Sequence, residues 1–205
     1  CRSCTCSKAE TMATLLATER IGRVLVATLA RSPVNALDER LIAELDAVLD
    51  QAIGDERIAL LHLRSEQRAF SAGADLALMA SCFATADGPD RMTEVVHQMQ
   101  RLFARLEAAP LVTLAEISAP ALGAGFELAL ACDLRVAANE ARLGLPEARL
   151  GLLPGAGGTQ RLTRLVGPGL ARRLILGAEV VDGSAAERLG LVQWALPHAQ
   201  LAEFA

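Results

Sequence analysis

The sequence predicts an α/β fold. Short apolar runs bounded by turn residues, at 21–30, 58–63, 111–117 and 134–137, alternate with longer segments whose apolar residues recur every three to four positions. Small-residue loops follow two of these runs, at Ser71–Ala74 and Gly123–Gly125. Loops at the carboxyl ends of strands are where α/β proteins usually bind ligands. The 205 residues are 52% hydrophobic and 21% charged, enough chain to bury a sizeable core.

The elements follow in order. Ile21 to Ala30 reads as a buried strand that ends at Arg31-Ser32-Pro33. Asp38 then opens a helix: Leu41, Ile42, Leu45, Val48 and Leu49 share one face through Gln51, and Gly54 closes it. Ile58 to Leu63 is a second strand. From Leu76 to Pro110 the pattern is helical, interrupted at Asp87-Gly88-Pro89-Asp90, with Met92, Val95, Val96, Met99, Leu102, Phe103 and Leu106 as the apolar face of the second part. Leu111 to Ile117 and Leu134 to Ala137 are strands, and Gly157 to Val166 and Leu170 to Leu176 are helices. Asp182-Gly183-Ser184 reads as a turn, Ala185 to Leu189 as a short helix and Val192 to Leu196 as a last strand.

Composition excludes several classes. A net charge of −4 lacks the basic face that phosphate binding needs, so no nucleic-acid partner is expected. No run of eighteen apolar residues and no apolar signal core before Met12 is present, so no membrane or secretory segment is expected. Cys1, Cys4 and Cys6 could bind a metal or form disulfides, but no nearby His or fourth Cys completes a tetrahedral site. That stretch is read as a disordered leader, 1–12, and no metal site is assigned. Cys82 and Cys132 read as free thiols in a reducing compartment. His62, His97 and His198 are scattered and fall in no motif, and Ser71 has no legible His or Asp partner.

Two glutamates carry the chemistry. Glu127 follows Gly123-Ala124-Gly125-Phe126 and opens the apolar run Leu128–Cys132, so it is a charge in an apolar setting. Glu147 follows Pro146, which cannot continue a strand, and so lies on a turn. Brought together, the two carboxyls raise each other's pKa, and burial raises both further, which suits general acid/base work. Each also has a plainer role open to it: Glu127 could complement a helix dipole, and Glu147 could cap a segment or pair with Arg142 or Arg149. The Gly123-Ala124-Gly125 turn leaves N–H groups unpaired at a helix start, the makings of an oxyanion hole, with a second donor available near Gly73.

Three stretches, Arg68-Ala69-Phe70-Ser71-Ala72-Gly73-Ala74-Asp75-Leu76, Ala121–Asp133, and Leu145-Pro146-Glu147 with Gly151–Leu162, resemble the enoyl-CoA hydratase/isomerase (crotonase) family, in order and with family-like spacing. The resemblance extends from about Ile21 to Pro197. It implies a spiral of repeated β-β-α units forming a core domain over 13–205, lacking most of the usual C-terminal helical trimerisation region. It also implies reversible syn addition of water to a 2-enoyl-CoA, giving a 3-hydroxyacyl-CoA.

By the same resemblance the N–H groups of Ala74 and Ala124 match the oxyanion-hole donors. Glu127 and Glu147 match the two acids that hold a water, with Glu147 the expected proton donor to the α-carbon. Ala72, Gly73, Asp75, Leu76 and Gly123 match positions around the coenzyme A ester, and Asp75 and Asp133 could instead cap or pair structurally. Ala124 stands where glycine is commoner, which the donated N–H survives if φ stays negative. Ala119, followed by Pro120, also replaces a usual glycine. Few aromatics suggest an aliphatic acyl pocket with residues such as Leu78, Met79 and Leu122.

No cofactor is implied beyond coenzyme A as part of the substrate. The expected location is the cytoplasm, or an organelle matrix if the source is eukaryotic, and the expected assembly is a homotrimer or hexamer if the further helices are not required. Another crotonase reaction, such as double-bond isomerisation, and a non-catalytic CoA-binding or assembly role remain open at this stage.

Overall fold

The computed structural model describes residues 14–205, so the leader with Cys1, Cys4, Cys6 and Met12 lies outside the described residues. In chain order the first half holds β1 (Leu16–Ile21), β2 (Val24–Leu29), α1 (Glu39–Gly54), β3 (Leu60–Ser65), α2 (Leu76–Phe83), α3 (Gly88–Glu107) and β4 (Val112–Ile117). The second half holds β5 (Ala121–Leu122), α4 (Ala124–Leu130), β6 (Leu134–Ala138), β7 (Arg142–Gly144), a 3₁₀ turn (Pro146–Leu150), α5 (Gly158–Leu176), β8 (Val180–Asp182), α6 (Gly183–Arg188), β9 (Trp194–Leu196) and α7 (His198–Phe204).

The main sheet runs β1-β2-β3-β4-β6-β9, with β1 antiparallel to β2 and every other pair parallel. Parallel strands are buried on both faces, which is why β2 and β4 read as largely apolar runs, broken only by the buried Thr28 in β2 and Thr113 and Glu116 in β4. The expected single strand at 21–30 is instead the second arm of a hairpin. It turns at Gly22, whose φ is 60°. The first arm exposes every residue after Leu16, so no apolar run marks it.

A second, smaller sheet has the order β5-β7-β8, and isolated parallel bridges from Leu37 to Ala74 and from Ser71 to Ala121 continue its pattern. The chain therefore repeats one unit four times: a main-sheet strand, a short partner in the second layer, then helix. The repeats are β2–Leu37–α1, β3–Ser71 with α2 and α3, β4–β5–α4, and β6–β7–α5. This is the β-β-α spiral that the resemblance implies. The repeat lives in the backbone pairing, so no repeated sequence is needed to make it.

The helices form for the reasons the sequence offers. Asp38 caps α1 by accepting from Leu41 N at 2.8 Å. Val95, Met99, Leu102, Phe103 and Leu106 form the buried stripe of α3, and such side chains contribute about 1.5–3 kcal/mol each on burial. Arg105 joins α3 to α1 through Asp46 and Asp50. Helix α5 breaks at Gly167-Pro168, where Gly167 has φ 78°, in line with the two segments expected there. Asp182 caps α6 rather than forming a free turn, since it accepts from Ala185 N at 2.7 Å. Among the described residues no helix is long and apolar enough to cross a membrane.

Candidate active site

Two turns from different repeats abut. The segment Phe70–Asp75 leaves β3 and enters α2, and Ala121–Ala124 leaves β4 and enters α4. Backbone bonds stitch them together: Ser71 N donates to Pro120 O at 3.3 Å and Leu122 N donates to Ser71 O at 3.0 Å. Pro120 thus supports the turn that it precedes. The approach is so close that a Cβ on Gly73, where φ is 99°, would lie 2.9 Å from Leu122 O and 3.4 Å from Ala124 N. A Cβ on Gly125 would lie 2.7 Å from Ser71 Oγ and closer still to its carbonyl oxygen. Only glycine fits at either position.

Neighbouring groups fix these turns and leave two donors over. Asp75 N donates to Leu37 O, and Gly123 N to Gly144 O, both at 3.0 Å. The N–H groups of Ala74 and Ala124 have no partner among the described residues. Among the described non-glycine residues only Asn35 and Ala178 have positive φ, so the alanine at 124 keeps the backbone that its N–H requires.

Sequence reasoning missed the residue that anchors the first turn. Asn35 is fully buried; its Nδ2 donates to Ser65 Oγ (2.7 Å), Ala69 O (3.1 Å) and Phe70 O (3.0 Å), and its backbone carbonyl accepts from Ser71 Oγ at 2.7 Å. Its only signal was an Asn two residues after Pro33, which reads as any loop. We expect Asn35→Ala to cost about 3 kcal/mol by orphaning buried acceptors. In a thermal melt that is a fall in Tm of about 6–12 °C.

Glu127 sits in the first turn of α4 and is 1% exposed. Its Oε1 accepts from Ala156 N at 2.9 Å and from Gly158 N at 2.7 Å, so Oε2 is the oxygen left for the space in front of it. The run Gly155-Ala156-Gly157-Gly158 was legible as part of the motif, but its role as a backbone cradle for Glu127 was not. Burial raises the carboxyl to about 7 against the pull of those two donors, and the nearby Glu147 adds to the rise.

Glu147 lies in the 3₁₀ turn, half-buried. Its Oε1 lies 3.0 Å from where a Cβ of Gly123 would be. Its Oε2 is buried with no partner among the described residues. Desolvation raises its pKa as well. Among the described residues it pairs with no arginine, and Arg149 donates to Ala178 O at 2.9 Å instead.

Both carboxyls line one cavity of about 260 Å³, together with Ala72, Gly73, Ala74, Leu76, Gly123 and Ala124. Of the catalytic, oxyanion and coenzyme A positions read from the sequence, Asp75 is the one that stays outside it. Its carboxylate caps α2 by accepting from Ala77 N and Leu78 N, and pairs with Arg31 at 2.6 Å. Asp133 is likewise structural, accepting from Thr113 N at 2.8 Å and Thr113 Oγ1 at 2.9 Å. Of the suggested acyl-pocket residues Met79 lines the cavity, while Leu78 packs on the core and Leu122 is not part of the lining. Among the described residues no group of three or more His, Cys, Asp or Glu is placed to hold a metal ion.

An α/β spiral with two carboxyls and two unused N–H donors on the residues that line one cavity marks a class, and comparison agrees with it. The family model described as enoyl-CoA hydratase/isomerase matches residues 19–205, and the chain belongs to that family. It is 42% identical over 169 residues to a probable enoyl-CoA hydratase of Bacillus subtilis, covering 82% of this chain and 64% of that protein. It is 40% identical to the mitochondrial methylglutaconyl-CoA hydratase of Mus musculus, covering 81% of this chain and 52% of that protein. A crystal structure of enoyl-CoA hydratase from Bacillus anthracis superposes with a TM-score of 0.87 at 34% identity, over 93% of this chain and 73% of that one. The chain thus spans about half to two-thirds of the length of these two curated relatives.

Proposed function

We propose that the cavity hydrates a 2-enoyl-CoA thioester to the 3-hydroxyacyl-CoA. The observation that carries this is the presence of both Glu127 and Glu147 on a cavity that also holds the free N–H groups of Ala74 and Ala124. The names of relatives about 40% identical, which include enoyl-CoA, crotonyl-CoA and methylglutaconyl-CoA hydratases, support the same reading.

In this scheme the thioester carbonyl oxygen accepts from Ala74 and Ala124, which stabilises the negative charge that gathers there as the enolate forms. Ionised Glu127, held by Ala156 and Gly158, takes a proton from water as the water oxygen bonds to C3. Protonated Glu147, with its unpartnered oxygen, delivers a proton to C2. The pair then holds its one proton on Glu127, and return of that proton to Glu147 resets the site. Coenzyme A takes part as half of the substrate, and no further cofactor is invoked. A homotrimer or hexamer and a cytoplasmic or organelle-matrix location complete the reading.

The test is loss of enoyl-thioester absorbance on adding purified protein to crotonyl-CoA and to a longer 2-enoyl-CoA. Turnover of either supports hydration; saturable binding without turnover moves the assignment to a binding role. We also expect a bell-shaped profile of kcat/KM near neutral pH. Activity falls in acid as the pair takes up a second proton and falls in base as it loses its last one, since burial raises both carboxyls above the ordinary carboxylate range.

A further inference from the structure

The loop that cradles Glu127 is itself gripped by an arginine. Ala156 is held at both ends: its N–H donates to Glu127 Oε1, and its carbonyl accepts from Arg161 Nη1 at 3.1 Å. Arg161 lies in the first turn of α5 and is 7% exposed. Its Nε and Nη2 both reach Glu107 Oε2, at 3.0 and 2.8 Å, and Glu107 is the last residue of α3. The packing along the loop is tight. A Cβ on Gly157, where φ is 110°, would lie 2.1 Å from Arg161 Nη1, and a Cβ on Gly158 would lie 2.9 Å from Glu127 Oε1. Consecutive residues of one short segment therefore press on the arginine and on the carboxyl.

Arg161 also acts on Glu127 through its charge. Burial takes that carboxyl to about 7; Glu147 on the 3₁₀ turn pushes it further up, and Arg161 on α5 pulls it down. Glu107 offsets the arginine in turn. Its side chain is 46% exposed, and Arg164 lies 3.7 Å from its other oxygen.

We infer that Arg161 is a positioning residue for Glu127: it fixes the loop whose N–H groups hold the carboxyl and, balanced by Glu107, sets the charge that faces it. The inference rests on the hydratase reading for its rate readout and on the geometry for the rest. In that reaction Glu127 is the ionised member of the pair while Glu147 carries the proton. A nearby cation favours that arrangement. Arg161 does not line the cavity, so it works through the loop and through Glu127.

The test follows crotonyl-CoA hydration across pH in three variants. Arg161→Gln is expected to lower kcat about 10- to 100-fold with KM changed about threefold or less, since a small misplacement of a catalytic group costs up to about 10²-fold. It also moves both limbs of the kcat/KM profile to higher pH, because a carboxyl that loses its cation holds its proton more tightly. Glu107→Gln moves the limbs the opposite way, because Arg161 then faces Glu127 unopposed. Arg161→Lys keeps the charge and loses the fork, so the limbs stay in place while kcat stays reduced. A merely structural role lowers the active fraction and moves no limb. Unmoved limbs in both Arg161→Gln and Glu107→Gln overturn the inference, as does an undiminished kcat in Arg161→Gln; if Arg161→Gln does not fold, Glu107→Gln decides alone. If the unaltered protein hydrates no enoyl-CoA ester, the hydratase reading fails on its own. Glu127 is then titrated directly by ¹³C NMR of glutamate-labelled protein, its resonance assigned by its loss in Glu127→Gln. A midpoint that rises in Arg161→Gln and falls in Glu107→Gln upholds the inference, and a midpoint unmoved in both overturns it.

Discussion

Glu127→Gln and Glu147→Gln each lower kcat by about 10³-fold or more, while the dissociation constant for a saturated acyl-CoA changes only a few-fold. Each variant keeps the shape of the cavity and removes one proton carrier. Positioned acid/base groups contribute about 10²–10⁴-fold, and the upper part of that range applies because the reaction needs both steps. The double variant should be scarcely slower than either single one, because groups that act as a unit are not additive.

The same Glu127 substitution has an opposite effect on stability. The folded-state pKa of Glu127 is raised to about 7, above its unfolded value. Between the two values the folded protein binds more protons than the unfolded chain, so stability falls as pH rises through that window. Above about 7 the buried charge costs about 3 kcal/mol; well below 4.5 both states are protonated and the cost vanishes. Glu127→Gln therefore raises the midpoint of urea unfolding at pH 8 and leaves it nearly unchanged at pH 4. A variant destabilised at pH 8 would contradict the burial argument.

Gly125→Ala has the second large effect, and it acts on geometry. The new methyl meets Ser71 at its Oγ and carbonyl, so the turn carrying Ala74 and the turn carrying Ala124 are forced apart. Backbone cannot swing away as a flexible side chain could. The expected cost is about 2–3 kcal/mol of stability, in the range of overpacked cores. Misplacing oxyanion donors costs about 10²–10³ in kcat. A variant that folds and keeps full activity would mean the two turns need not touch for function.

Elements with strong periodicity were legible in the sequence. β2, β3, β4 and β6 announce themselves as apolar runs, and α1 and α3 by their buried stripes. The second sheet was not legible, because strands of two or three residues and single bridges such as Leu37–Ala74 are too short to show alternation. β1 and α7 were missed for a related reason: β1 buries Leu16 alone and α7 buries Leu201 alone.

At the site, Glu127 was visible as a charge inside an apolar helix and Glu147 as an acid on a proline turn. What joins them is long-range. Ala156 and Gly158 offer backbone to Glu127, and Asn35 ties down the Ala74 turn from outside the motif, so neither signal sits beside the residue it serves. The cavity between α2 and α3 depends on how two helices lie across one another, and side-chain composition alone could not say which of Leu78, Met79 and Leu122 would face it.

The most direct measurement is incubation of crotonyl-CoA with the protein in ¹⁸O-labelled water, followed by mass analysis of the thioester. The account predicts a hydroxyacyl product with one ¹⁸O at C3, formed by the unaltered protein and lost with Glu127→Gln and Glu147→Gln. Turnover that yields a rearranged enoyl thioester without ¹⁸O, or no turnover alongside tight thioester binding, would contradict it.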